Sequence, residues 1–331
     1  MDIKINSFNQ DYSTNDVLDW VYFENDSIAC SRSDKFEIED MYITNQNNIS
    51  KNESYWFRRG FLKEEGYNPF PLLNQCENKQ VKKIFLEIHK KYSYEERAIN
   101  ESYIYWYDKL FKNSLNKLSD NNVNKLKVLQ IAKATGLLIP ETIITSNIST
   151  IESFYNSKEK IIVKDVMLDE IKMQWEDIFD IRIKVLPKIV TESHLEQLRK
   201  IKKNISQGYI FIQEYINKKY ELRIFYLNGK FYSMAIFSQS NERTKVDFRN
   251  YDDERPNRCV PYQLPKKECK KLHVLMSKLN INCGSIDMIY STQNKYVFLE
   301  VNPIGQFQWL SKNCNYDIER SIARFLNDEL V

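Results

Sequence analysis

Apolar positions in this 331-residue chain switch between a period of two and a period near 3.6, and the switches mark out its elements. MDIKINSF alternates like a strand, and NDVLDWVYF, after the Ser13-Thr14-Asn15-Asp16 cluster, reads as a capped helix. Short strands, helices and the stretch YWFRRG continue to about residue 120, which describes a small α/β domain. Beyond it, Val123, Leu126, Leu129, Ile131 and Ala132 recur at helical spacing, Gly136 supplies a stop, and Pro140 precedes a strand. EKIIVKDVML is an apolar strand with Lys164 near its end, and the mixed segment MLDEIKMQWEDIFDIRIKVLPKIVT suggests an arm or hairpin. TESHLEQLRKIKKN repeats like a helix, while YIFIQEYI and YELRIFYLNGKFYSMAIFSQ form antiparallel strands turned at Asn228-Gly229. The segment TKVDFRNYDDERPNRCVPYQ reads as a polar loop, followed by the helix PKKECKKLHVLMSKLN, the strands CGSIDMIY and KYVFLEVN around STQN, and the helix DIERSIARFLNDEL.

Composition narrows the function classes. Apolar residues make up 42% and charged residues 28%, as in a folded chain, and the length allows two or three domains. Forty-eight basic residues against 45 acidic ones leave a net charge of +3, which argues against nucleic acid as partner. The six cysteines form no Cys-x-x-Cys pair and the three histidines are scattered, so neither a zinc site nor a disulfide framework is expected. No run approaches the roughly 20 apolar residues of a membrane span, nor is there a signal-peptide core, so the expected location is cytoplasmic. Glycine occurs only seven times and never in a Walker or G-x-G-x-x-G arrangement, which leaves side chains, strand backbone and metal to hold any nucleotide.

Three places carry candidate chemistry. In FLEVNPIGQF, side chains two apart share a strand face, so Glu300 and Asn302 point together with Phe298, while Leu299 and Val301 point the other way. If STQN closes a hairpin, Asp287 meets Glu300 across the ladder, and hard oxygen donors so grouped suit magnesium on nucleotide phosphates. On this strand alone, solvated alternation on one sheet face is the better account of Glu300 and Asn302. Lys164 is placed to reach a phosphate or to snorkel at a sheet edge, and Lys125 reads as an ordinary helix lysine. In FIQEYINKKYELR, the backbone at Gln213, Glu214, Tyr215 and Ile216 leaves its ladder and offers groups to an adenine edge. Glu221 suits ribose hydroxyls and Arg223 suits phosphate, although a cross-strand ion pair accounts for both.

Taken in order, these pieces resemble the ATP-grasp ligases, and within them the graspetide (microviridin-type) peptide ligases, nearest the grasp-with-spasm maturases. The resemblance is carried by S-T-N-D-V, YWFRRG, NKLKVLQIAKATGLLIPETIITSN, IIVKD, FIQEYINKKYELRIFYLNGKFYSMAIFSQ, KVDFRNYDDERPNRCVPYQLP, and GSIDMIY with FLEVNPIGQF. It implies an α/β (α+β) ATP-grasp fold with an N-terminal α/β domain at 1–122, a central subdomain at 123–212 and a C-terminal antiparallel-sheet subdomain at 213–331. It implies ATP and Mg2+ as cofactors: Lys125 and Lys164 as nucleotide lysines, Gln213 to Ile216 as the adenine hinge, Glu221 on the ribose, and Asp287, Glu300 and Asn302 as metal ligands. Arg223 and Arg249 match arginines near the phosphates, and Asp247 is set with Arg249 at the acceptor end. The partner implied is a ribosomal precursor peptide, leader and core, whose Asp or Glu side chains are phosphorylated and closed as ω-esters or ω-amides. Relatives of this kind are commonly dimers, so a homodimer is implied as well. The segment DVMLDEIKMQWEDIFD departs from the family in lacking a glycine-rich phosphate cover. A ligase joining a free amino acid to a protein or small acid, and a non-catalytic nucleotide- or peptide-binding relative, are the alternatives.

Overall fold

A computed structural model of the chain describes residues 2–36, 51–59, 61–62, 76–121, 123–164, 170–175, 179–184, 186–202 and 208–327. The chain divides into two compact units, Met1–Asn122 with Asp317–Val331, and Val123–Tyr316. The last helix, grouped above with residues 213–331, therefore belongs with the first unit. Its residues Ile318, Ile322 and Leu326 are fully buried there, Arg320 and Arg324 both reach Glu24, and Asn113 donates to the carbonyl of Phe325.

The first unit is built on a parallel sheet in which Asp2–Asn6 lies between Cys30–Ser33 and Lys51–Phe57, with Phe111–Leu115 beyond the latter. Ile3, Ile5 and the run Tyr55, Trp56 and Phe57 are buried, as expected of a parallel sheet. The helix Tyr12–Glu24 begins earlier than the polar cluster suggested: Asp11 is the cap, accepting from the Ser13 N–H, and Ser13 and Thr14 lie in the first turn. The helix Lys79–Tyr107 closes this core with Tyr103 and Tyr107, the latter ring edge-on to Tyr55 at 5.6 Å.

Besides a two-stranded hairpin, the second unit holds, among the described residues, two larger antiparallel sheets. The smaller runs in the order Lys188–Ile189, Ile161–Lys164, Ile210–Glu214 and Thr142–Thr145. Ile151 and Phe154 of the helix Ile148–Ser157, and Leu195 of the helix Glu192–Lys202, pack on its Ile161 and Ile212. Glu170–Trp175 and Phe179–Lys184 pair antiparallel, as the expected hairpin requires. The larger sheet runs Arg258–Tyr262, Lys230–Phe237, Lys218–Leu227, Cys283–Ser291 and Tyr296–Asn302. Its first strand falls in the segment read as a polar loop. RCVPY contains Pro261, which lacks an N–H and is tolerated because this strand is at the sheet edge.

Alternation then sorts the larger sheet. Leu222, Ile224, Tyr226, Ile286 and Met288 enter a core with Leu272, Leu275 and Met276 of the helix Lys266–Lys278 and with Val128, Leu129 and Ala132 of the helix Lys125–Ala134. Asn228 (φ 42°) and Gly229 (φ 95°) form the expected hairpin turn, both in the left-handed region that this turn demands. Asn124 caps the helix Lys125–Ala134, its Oδ1 accepting from the N–H groups of Leu126 (3.0 Å) and Lys127 (3.1 Å). Replacing this cap, Asn124→Ala, should cost about 1 kcal/mol, read as a lower denaturation midpoint with an unchanged m-value.

Candidate functional site

Eleven candidate site residues from the sequence line one open cleft in the second unit: Lys125, Lys164, Gln213, Glu214, Tyr215, Ile216, Glu221, Asp247, Arg249, Asp287 and Glu300. Leu129, Ile162, Phe211, Leu222 and Met288 supply an apolar part of the same wall. Arg223 and Asn302 are not in the lining. Arg223 pairs in register with Asp287, and its Nη1 donates to both carboxylate oxygens at 2.8 and 2.7 Å. The ion pair foreseen for this strand therefore exists, with Asp287 as the acid. Asn302 ends its strand opposite Ser285, and its Oδ1 accepts from the N–H of Ile304 at 3.0 Å.

Asp287 and Glu300 face each other across the ladder, as the hairpin reading required. The remainder of that strand departs from period-two counting, because Glu300 pairs with Asp287 and Phe298 with Met288, leaving Leu299 as an extra residue. The bulge resets the alternation. Phe298 and Val301, three apart, both enter the core, while Leu299 joins Glu300 at the cleft. Phe298 therefore does not share the Glu300 face.

A second bulge works the same way upstream, where Lys218 pairs with Ser291 and Tyr220 with Tyr290, and Lys219 is extra. Counting by twos would put Lys219 beside Glu221. The bulge puts Lys218 there instead, with its Nζ 2.9 Å from Glu221 Oε1, while Lys219 donates to Asn294 at the surface. Lys218 also lines the cleft and was missed by the sequence reading, which had two adjacent lysines in NKKYELR and no signal to choose between them.

Charge is concentrated around Glu300. Its carboxylate lies 3.7 Å from Lys125 Nζ and 3.8 Å from Arg249 Nη1. Asp247 is gripped by its neighbour but one: Arg249 Nε, Nη2 and backbone N–H all donate to it, at 2.7 to 3.0 Å. Burial alone would push the Asp247 carboxyl up, but these bonds outweigh it and hold the group below the usual carboxylate range. The opposite balance holds at Asp287, where burial raises the carboxyl, Arg223 pulls it back and Glu300 adds to the rise. Burial also pushes Glu221 up against the opposing pull of Lys218, and pushes the Lys164 ammonium down against the pull of Glu300 and Asp247.

At the hinge, the ladder runs further than the sequence suggested. The N–H of Glu214 donates to Glu141 and that of Tyr215 to Lys160, so Ile216 is the first residue beyond those bonds. Among the described residues, no group of three or more His, Cys, Asp or Glu is placed to hold a metal ion, so any cation here would rest on Asp287, Glu300 and neighbouring oxygens. No helix among the described residues is long and apolar enough to cross a membrane.

No family model matches the chain, and no curated protein matches it. Its backbone is nonetheless similar to solved structures along its whole length. It superposes on a Chryseobacterium gregarium RiPP-associated ATP-grasp ligase, solved in complex with ADP and a leader and core peptide, with a TM-score of 0.73 at 21% identity, covering 100% of this chain and 97% of that one. The macrocyclase MdnC from Microcystis aeruginosa MRC, bound with precursor peptide MdnA, gives a TM-score of 0.69 at 23% identity over 100% of both chains. The ATP-grasp ligase PsnB, complexed with minimal precursor, gives 0.67 at 12% identity, covering 99% of this chain and 98% of that one. From end to end, the chain has the ATP-grasp fold.

Proposed function

We propose that this protein is an ATP- and magnesium-dependent peptide ligase that activates Asp or Glu side chains of a ribosomally made precursor peptide and closes them onto Thr or Ser as ω-esters, or onto Lys as ω-amides. The observation that carries the reading is the convergence on one cleft of a strand-end hinge, a buried acid at Glu221, the cations Lys125, Lys164 and Arg249, and the facing carboxylates Asp287 and Glu300. Similar folds belong to proteins solved with ADP, with magnesium and with precursor peptides, which supports the same reading.

The donor set fits the cofactors. Two carboxylates set opposite each other, Asp287 raised first by burial and further by the charge of Glu300, suit a divalent cation, with Asn302 at the end of the Glu300 strand. Asp287 and Glu300, with Asn302 nearby, would hold the magnesium, which would supply positive charge against the charge that develops in phosphoryl transfer. Of the chain's own groups, Ile216 and the hinge backbone would meet the adenine, Glu221 would accept from the ribose, and Lys125 and Lys164 would face the phosphates. Arg249 would stabilise charge on the transferred group, with Asp247 fixing the plane of its guanidinium, while Arg223, outside the lining, would act through the Asp287 carboxylate it holds.

The reaction then balances as two displacements. A carboxylate oxygen of the peptide bonds to the γ-phosphorus as the bond to ADP breaks. A hydroxyl or amine of the same peptide next bonds to the acyl carbon, loses its proton, and phosphate leaves with the former carboxylate oxygen. Closing a ring this way removes one water from the peptide. Intact-mass analysis of a short Thr- or Ser-rich and Glu- or Asp-rich peptide encoded beside this chain, incubated with the protein, ATP and magnesium, should show one water lost per ring. A mass gain equal to an amino acid would favour the free-amino-acid ligase, and an unchanged peptide with ATP consumed would refute the proposal.

A further inference from the structure

Lys218 forms part of the cleft wall, and no role assigned above uses it. Its side chain is 2% exposed, and its ammonium makes two contacts of 2.9 Å, one to Glu221 Oε1 and one to the carbonyl of Val246. Val246 directly precedes Asp247, so one cation touches both the acid on the nucleotide side and the loop that carries the Asp247–Arg249 pair. The same loop is tied to the sheet elsewhere. Ser238 Oγ donates to Glu221 at 2.7 Å, Gln239 Nε2 donates to Ser238 Oγ and to the carbonyl of Lys245, and Thr244 Oγ1 donates to the carbonyl of Ser238. Every bond in this set leads back to Glu221 or to the segment 238–246. A buried ion pair is a weak way to add stability, since desolvating both ions offsets most of their attraction. A buried lysine placed by a strand bulge beside a cleft instead fixes geometry.

We propose that Lys218 is a positioning residue whose single ammonium locks the Glu221 carboxylate and the Asp247–Arg249 loop into one arrangement. The inference rests on the reading of Glu221 as a nucleotide-binding acid. Without the cation, Glu221 remains buried beside an unanswered desolvation cost and holds a proton more readily than it does beside Lys218, and the 244–249 loop loses a tether. A lysine that merely filled space would leave no such proton linkage.

The test uses a fluorescent ADP analogue and the full chain, so no peptide is needed. At each pH between about 6 and about 8.5 the two proteins are compared directly: Lys218→Met should bind the analogue about tenfold more weakly than the unaltered protein at the acid end, with the gap narrowing as pH rises and Glu221 ionises. An affinity for Lys218→Met equal to that of the unaltered protein at every pH in this range would overturn the proposal. The charge-neutral double variant Lys218→Met/Glu221→Gln leaves no unpaired buried ion and guards against a misfolded single variant. In it, amides of 244–249 should exchange about tenfold faster than in the unaltered protein, with those of 222–226 unchanged. Unaltered exchange at 244–249 would overturn the proposal equally. If the unaltered protein bound no nucleotide at any pH, the ligase reading would fall rather than the role of Lys218.

Discussion

Glu300→Gln should leave the fold in place and remove turnover, lowering ADP release by about a thousandfold, the upper range for losing one preorganised charged group at a reacting phosphate. The stability side follows from the geometry. The Glu300 side chain is 24% exposed, and its two cations stand 3.7 and 3.8 Å away, beyond hydrogen-bond reach, so the amide forfeits about 1 kcal/mol or less. Part of that is returned, because the amide no longer repels Asp287 across the ladder. The activity side follows from charge: a neutral amide facing Asp287 halves the anionic set offered to a divalent cation. Melting temperature and ADP production measured on the same sample separate the two effects. Unchanged ADP production with an unchanged melting temperature would refute the metal assignment.

Gly305→Ala should cost about 3 kcal/mol and lower the melting temperature by about 6 °C or more. A Cβ at this position would lie 1.9 Å from Ser285 Oγ, 2.2 Å from Ser285 Cβ and 2.7 Å from the Ser285 backbone nitrogen. No rotation of the Ser285 side chain removes the last two clashes. The turn that carries Gly305 is short, with the Gly305 N–H donating to the Asn302 carbonyl and the Ile304 N–H to Asn302 Oδ1, so a displaced Gly305 drags Asn302 with it. Adding Ser285→Gly removes two of the three clashes and should restore roughly half of the lost stability, a recovery that double-mutant analysis can read. If the single change proved neutral, the close packing of this turn on the Cys283–Ser291 strand would be wrong.

The contrast between these two positions shows what the sequence discloses. Glu300 opposite Asp287 could be read from the STQN hairpin, the helix Lys125–Ala134 from apolar spacing and the Gly136 stop, and the Asn228-Gly229 turn from turn chemistry, because each depends on neighbours a few residues away. What escaped depends on register. The extra residues Lys219 and Leu299 shift the alternation by one, and this decides that Lys218 rather than Lys219 meets Glu221 and that Leu299 rather than Phe298 reaches the cleft. Nothing in a period-two pattern announces such a slip, since both candidates are chemically plausible on either face. The strand Arg258–Tyr262 was hidden for another reason: its Pro261 argues against a strand unless the sheet edge is already known. The tight approach of Gly305 to Ser285, 20 residues apart in sequence, likewise has no local signature.

The central claim is that a carboxylate of the substrate peptide is phosphorylated in this cleft before a ring closes. Heavy-oxygen label placed in the peptide's Asp and Glu carboxylates tests it directly. The account predicts that each water lost from the peptide is matched by one ADP and by one labelled oxygen transferred to inorganic phosphate. Ring closure or ATP hydrolysis that leaves the phosphate unlabelled would contradict it.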